Sequence, residues 1–228
     1  MSNNSTLFEK FVEKYPNFAG DCRVARPHQS EFLVEYFSGA RDLVYVDVGS
    51  NNGVSWSNTL FLKENYGWSG ICIEPNKILY EESLKIRNDK HYNCAIDEFS
   101  RGNQEFYQIS GPCHGIGTLS SKMDSERMNL LNSEIQKFGG SYEKIQVPVR
   151  RLGDILFENK ITRIDYLSID VEGNELSVLK GIDWINTNIE LISTEANNTI
   201  EVDKYLYPLG YVRFAKINAD DFYKKIKK

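Results

Sequence analysis

Long apolar runs are missing from this chain. None approaches the ~20 residues that a membrane-spanning helix requires, and the opening MSNNSTLFEK lacks the apolar centre of a secretory signal. Cysteine is sparse: Cys22, Cys72, Cys94 and Cys113 show no CxxC spacing, and Cys72 and Cys94 fall in strand-like apolar runs. Reduced, buried thiols are therefore expected, in place of a disulfide framework or a zinc site. Basic clusters are missing too. The net charge of -5 is offset by no Lys/Arg patch, which argues against a nucleic-acid-binding face. The terminal YKKIKK reads as a short solvated tail. These absences point to a soluble, cytoplasmic, globular protein with neither nucleic-acid nor membrane partners; nothing in them sets an oligomeric state.

What is present is alternation. The 228 residues are enough for one α/β core. Residues 5–15 and 28–38 have helical apolar spacing, giving a helical lead-in over about 1–40 before a single domain over 41–228. In that domain DLVYVDV (42–48), GICIEP (70–75) and HYNCAI (91–96) read as strands. Helices are expected between them at 54–66 and 76–87, the second with Asn76 as N-cap. Residues 97–156 break the rhythm and read as an insertion holding two strands, a long loop and an amphipathic helix. Strand–helix alternation resumes with RIDYLSIDV (163–171) and IELISTEA (189–196), and YVRFAKI (211–217) is expected as an antiparallel edge strand. Such a pattern implies a mostly parallel, twisted α/β sheet with helices on both faces.

The first strand ends in YVDVGSNNG, five residues of turn chemistry in an otherwise buried run. In a doubly wound sheet that turn opens on the ligand-binding edge, where glycine lets backbone approach a ligand. A dinucleotide fingerprint would place glycine first, third and sixth; this chain has Gly49, Asn51 and Val54. Asn tolerates left-handed backbone, but Val54 cannot give the close helix packing of the last glycine. A nicotinamide cofactor is disfavoured. The pattern that fits is Asp47-x-Gly49-x-Asn51-x-Gly53, with Ser50 and Asn52 between. A carboxylate suits a cofactor bearing an amine and a sulfonium, though Asp47 can also serve as a structural acid bonded to the loop. Glu74, beside Pro75, ends the second strand where a carboxylate can accept both ribose hydroxyls. Asp97, with the backbone of Ala95 and Ile96, ends the third, placed to meet adenine.

YVDVGSNNG, NTLFLKENYGWSGICIEPN and IDYLSIDVEGNELSVLKGI together resemble the FkbM family of S-adenosylmethionine-dependent methyltransferases, from about Leu43 to about Phe214. HQSEFLVEYF, upstream, is similar to a lead-in of many members. The resemblance implies a Rossmann-like class I fold, S-adenosylmethionine as cofactor, and O-methylation of alcohols, including sugar hydroxyls and a macrolide. Asp47, Gly49, Asn51, Gly53 and Glu74 match the family's cofactor pattern; Ser50 and Asn52 stand where many members have alanine and aspartate. The insertion is where members vary most, so acceptor specificity does not carry over.

Methyl transfer to oxygen is an in-line displacement, and a neutral hydroxyl needs help to attack. Asp170, at the end of the fourth core strand, is placed to position the hydroxyl; His114, between glycines in GPCHGIGT, or Glu195, ending LISTE, can take its proton. Glu172 and Glu175 read as acids at the start of the following helix. Asp170, Glu195 and Asn197 or Asn198 could form an oxygen set for Mg²⁺. That spacing is imperfect, so no metal is expected and turnover should survive EDTA. A small-molecule or glycan hydroxyl is the expected acceptor, with Gln104, Tyr107, Gln108, Ser110 and His114 supplying hydrogen bonds. Trp56 is the aromatic closest in sequence to the glycine loop.

Overall fold

Alternation along the strands sorts the layers. Strand β1 (Val44–Val48) sends Tyr45 to one face and Val46 and Val48 to the other, as a period of two requires. The computed structural model describes residues 10, 13–14, 29–112, 114–196 and 199–226. Around β1 it places β2 (Ser69–Ile73), β3 (Lys90–Tyr92), β8 (Arg163–Ile169), β9 (Asn188–Glu195), β10 (Tyr211–Ile217) and β11 (Asp220–Lys225). They form one seven-stranded sheet, in the order β10-β11-β9-β8-β1-β2-β3. Pairings from β3 to β9 are parallel. One face carries Val46, Val48, Ile71, Ile73, Leu167, Ile169 and Ile192. Three helices cover it: α5 (Leu152–Glu158), α6 (Glu175–Lys180) and α7 (Thr199–Leu206). The other carries Tyr45, Cys72, Tyr166 and Leu191, under α1 (Gln29–Tyr36) and α2 (Leu60–Tyr66). This is the expected Rossmann-like α/β sheet with helices on both faces. No helix among the described residues is long and apolar enough to cross a membrane.

Three local expectations change. The helix expected from residue 54 starts only at Leu60. Polar side chains compete for the backbone before it: Asn52 Oδ1 accepts from Val54 and Ser55 N–H, and Ser57 Oγ from Thr59 and Leu60 N–H. The third strand is split in two. Pairing with β2 stops at Tyr92, Asn93 turns its amide to the carbonyls of Glu74 and Pro75, and β4 (Ala95–Ile96) joins a second sheet. The edge strand β10 pairs antiparallel as expected, but with an unexpected strand. That strand, β11, is set between β10 and β9 and absorbs part of the expected C-terminal tail. Its charged ends hide Phe222 and Tyr223, both buried in the core. The expected N-cap holds: Asn76 Oδ1 accepts from Ile78 N–H and starts α3 (Lys77–Ile86).

The insertion is a second sheet. Its strands are β4, β5 (Gly102–Ser110), β6 (Thr118–Leu119) and β7 (Ser141–Arg150), in the order β4-β7-β5-β6. Helix α4 (Ser125–Phe138), N-capped by Asp124, packs Leu131 onto Tyr107 and Ile109. The opposite side, with Phe106, Leu119, Val147 and Val149, closes over Ala95. The insertion therefore builds a wall beside the third strand end of the main sheet.

Candidate active site

Strand order reverses between the parallel neighbours β1 and β8, which places a crevice at their carboxyl ends. A cavity of about 570 Å³ opens there, within the range of small-molecule sites. Its wall includes the glycine loop, the ends of β2, β4, β8 and β9, the β10–β11 turn, and the insertion.

Gly49 and Ser50 donate their N–H groups to the Ile73 carbonyl at 2.9 and 3.1 Å, folding the loop back over β2. Gly49 has φ +87°, and a Cβ there would lie 1.7 Å from the Asp170 carbonyl oxygen. Only glycine fits. Asn51 takes φ +52°, the left-handed conformation anticipated for it. Gly53 packs on Ser83 and Arg87, and Asn52 caps the next turn, so these two shape the loop from behind the cavity wall.

Glu74 is more deeply engaged than a strand-end acid facing only a ligand. Its two oxygens accept from Asn51 N–H at 2.9 Å and Asn76 N–H at 2.8 Å. Burial raises its carboxyl to about 7, against the pull of those two hydrogen bonds. Pro75, Ala95 and Ile96 line the cavity beside it. Asp97 does not. It is turned to Arg101, 3.2 Å away, and to the amide of Glu98.

Asp47 lies on the α2 side of β1, the parity of Tyr45. It accepts from Thr59 Oγ1 at 2.6 Å and stands 4.0 Å from the buried Arg87 guanidinium. Arg87 also reaches Tyr45, Ser57, Thr59, Asp89 and the Gly53 carbonyl, locking the loop from below. Burial raises the Asp47 carboxyl, opposed by Arg87 and Thr59.

Asp170, Glu172 and Glu195 meet at the ends of β8 and β9. Each offers a carboxylate oxygen, and all three oxygens lie within 4.8 Å of one another. Burial, followed by Glu172 and Glu195, raises the Asp170 carboxyl; Glu172 is pushed to about 8 and Asp220 to about 7, again chiefly by burial. Glu172 sits at φ +55° and faces Arg127 of α4 at 3.7 Å. Glu175 begins α6 as expected, its Oε1 accepting from Gly173 N–H. His114 opens a short 3₁₀ turn whose Gly115 and Ile116 line the cavity. The His114 side chain lies outside the described residues, as do Cys22, Cys113, Asn197 and Asn198.

Several wall residues escape sequence reasoning. Gln29, from the lead-in helix, donates to Asp220 at the start of β11; Asn174, Asn218, Glu134 and Phe138 also line the cavity. Gln29 sits in the lead-in similar to other members, which was its only signal. Of the polar residues offered as acceptor ligands, Gln104, Gln108 and Ser110 bond within or beside the second sheet, away from the wall. The insertion instead presents Phe106, Ile116, Leu119 and Phe138, and Trp56 stands at the cavity with half its surface exposed.

The cavity wall carries seven carboxylates, Asp47, Glu74, Glu134, Asp170, Glu172, Glu195 and Asp220, and no Lys or Arg among the described residues. Ser50 Oγ, Asn174 Oδ1 and Gln29 Oε1, all on that wall, are buried without a hydrogen-bond partner. Such a surface suits a cationic, hydrogen-bonding ligand and repels a phosphate-rich one.

Comparison with known proteins identifies the family. The model of the methyltransferase FkbM domain matches residues 47–213. Methyltransferase 1 of Beauveria bassiana is 28% identical over 182 residues, covering 74% of this chain and 71% of that protein. Methyltransferase sdnD of Sordaria araneosa is 30% identical over 159 residues, and the chain spans 60% of its length, as the match spans 60% of this chain. Among solved structures, methyltransferase FkbM from Methylobacillus flagellatus KT aligns at a TM-score of 0.48 and 13% identity, over 94% of this chain and 50% of that one. The chain belongs to the FkbM methyltransferase family.

Proposed function

We propose that this methyltransferase uses S-adenosylmethionine to methylate a hydroxyl oxygen of a small molecule, a sugar or glycan being the preferred acceptor class. The observation that carries the cofactor assignment is the wall of seven carboxylates without a Lys or Arg among the described residues. S-adenosylmethionine brings a sulfonium and an amine to such a wall, whereas NAD would bring a pyrophosphate. The late start of α2 adds to this, because no helix N-terminus follows the glycine loop directly to receive phosphate. In this reading Glu74 takes the ribose, and Ala95, packed with Phe106 and Leu119, takes the adenine together with Ile96 on the same wall.

The methyl carbon would then point toward Asp170 and Glu195. The acceptor oxygen attacks that carbon, the carbon–sulfur bond breaks with its electron pair going to sulfur, and the hydroxyl proton is taken up at the carboxylate edge of β8 and β9. Positioning supplies much of the acceleration in such a displacement. For the acceptor body, the available surfaces are the indole of Trp56 and the ring of Phe138. A pyranose, apolar on its ring faces and hydroxylated at its rim, can stack on Trp56 while presenting a hydroxyl to the acids. Trp56 is held at φ +59°, a strained conformation of the kind found at functional sites. Incubation with methyl-labelled cofactor and a panel of sugars, phenols and amines tests this assignment. Label in a base-stable, acid-stable ether on a sugar is expected; label on nitrogen, or on phenols alone, would refute it.

A further inference from the structure

The wall holds more acid than a monocationic cofactor neutralises, and its densest part lies beyond the expected ribose and adenine positions. Asp170 and Glu195 end adjacent parallel strands, and Glu172, turned by its left-handed backbone, brings a third carboxylate to the same point. Their oxygens lie within 4.8 Å of one another. Two ligands of one Ca²⁺ can be no farther apart than twice the metal–oxygen distance, about 4.6–5.2 Å, and for Mg²⁺ about 4.2 Å. The three acids therefore already stand at calcium-like spacing, and a modest inward rotation reaches magnesium or manganese spacing.

A second observation is independent of the acids. Gln29 is 6% exposed and lines the same cavity. Its Nε2 donates to Asp220, while its Oε1 has no partner. Asp220 is the register partner of Glu195 across β11 and β9, so the Gln29 amide group stands on the Glu195 side of the same cavity wall. An amide oxygen is a hard, neutral donor of the type that completes an oxygen-ligand set. Leaving such an acceptor buried and unmet is costly, and a ligand at this point would recover that cost.

We propose that Asp170, Glu172 and Glu195, with the Gln29 amide oxygen, form a binding site for one divalent cation of the hard, oxygen-seeking class. Arg127, 3.7 Å from Glu172, holds that acid in place from the insertion side. Asp170 and Glu195 were already candidate oxygen ligands from their sequence order; Glu172 and Gln29 supply the convergence that their spacing alone lacked. A cation here would leave coordination positions for the acceptor hydroxyl, whose pKa it would lower. The site itself is complete without cofactor or acceptor, so its test does not depend on the methyl-transfer assignment.

Mn²⁺ titration of the intact chain, followed by electron paramagnetic resonance with neither cofactor nor acceptor present, reads it directly. The expected result is one bound Mn²⁺ per chain, displaced by Mg²⁺ or Ca²⁺. Glu172→Gln and Asp170→Asn should each weaken binding at least tenfold, Gln29→Leu by less, and Glu81→Gln, an exposed helix acid, not at all. Circular dichroism confirms that each variant is folded, and the two acid variants serve as replacements for each other. Absence of bound Mn²⁺ at millimolar concentration, or affinity unchanged in the folded acid variants, overturns the proposal.

Discussion

Replacing Glu74 with alanine tests the joint between β2 and the glycine loop. The buried carboxylate accepts from the N–H of half-buried Asn51 and from the N–H of buried Asn76. Without it, two amides lose their acceptor, each worth about 1–3 kcal/mol if left unmet. Against this stands relief of the buried charge. The carboxyl is raised from 4.5 to about 7 in the folded chain, a difference of about 3 kcal/mol between the protonation states. The sign follows from linkage. An acid whose folded pKa is raised favours folding below pH ~4.5, and loses that contribution as pH rises through about 7. Glu74→Ala should therefore destabilise by about 2–4 kcal/mol near pH 5, and by less at pH 8. Urea unfolding of both proteins at the two pH values measures this. Cofactor affinity, measured calorimetrically on the folded variant, should fall about ten- to a hundredfold, as expected for lost charge-assisted bonds. A destabilisation independent of pH would refute the role given to burial; unchanged affinity would refute the ribose assignment.

Three further outcomes are expected. Gly49→Ala must force its Cβ against the Asp170 carbonyl oxygen and strain a φ of +87°, so it should cost about 2–4 kcal/mol in denaturant unfolding and abolish cofactor binding; a variant of wild-type stability would contradict the close approach of β1 and β8. Arg87→Met removes the guanidinium from buried Asp47, which keeps Thr59, and from Asp89, which keeps Lys63 and Tyr45, and should cost about 3–5 kcal/mol, measurable as a lower melting temperature. Trp56→Ala should raise the acceptor KM with little change in cofactor affinity, since the exposed indole is placed for the acceptor; an unchanged KM would remove it from that role.

The sheet was legible because its signals are local. Val44–Val48, Ser69–Ile73 and Arg163–Ile169 are short apolar runs separated by helical spacing, and their pairing follows from that order. Asn51 and Gly49 were legible for the same reason: their backbone angles depend on the residue itself. What escaped depends on partners distant in sequence. β11 opens with Asp220–Asp221 and ends in lysines, and only its insertion between β9 and β10 buries Phe222. The break after Tyr92 is made by the Asn93 side chain reaching back to Glu74 and Pro75. In the site, Glu74 and Asp170 were found from strand-end position alone. Asp97 occupies an equivalent sequence position, yet Arg101 turns it aside. Gln29 joins the wall through Asp220, 191 residues away, a contact with no trace in local spacing.

The central claim, that the acid-lined crevice takes a sulfonium cofactor, is tested most directly by thermal unfolding with S-adenosylmethionine, S-adenosylhomocysteine and NAD in parallel. At about a hundred times the dissociation constant, each adenosyl ligand should stabilise the chain by about 2.7 kcal/mol, or about 5–10 °C, while NAD leaves it unchanged. No shift with either adenosyl ligand, or an equal shift with NAD, would contradict the claim.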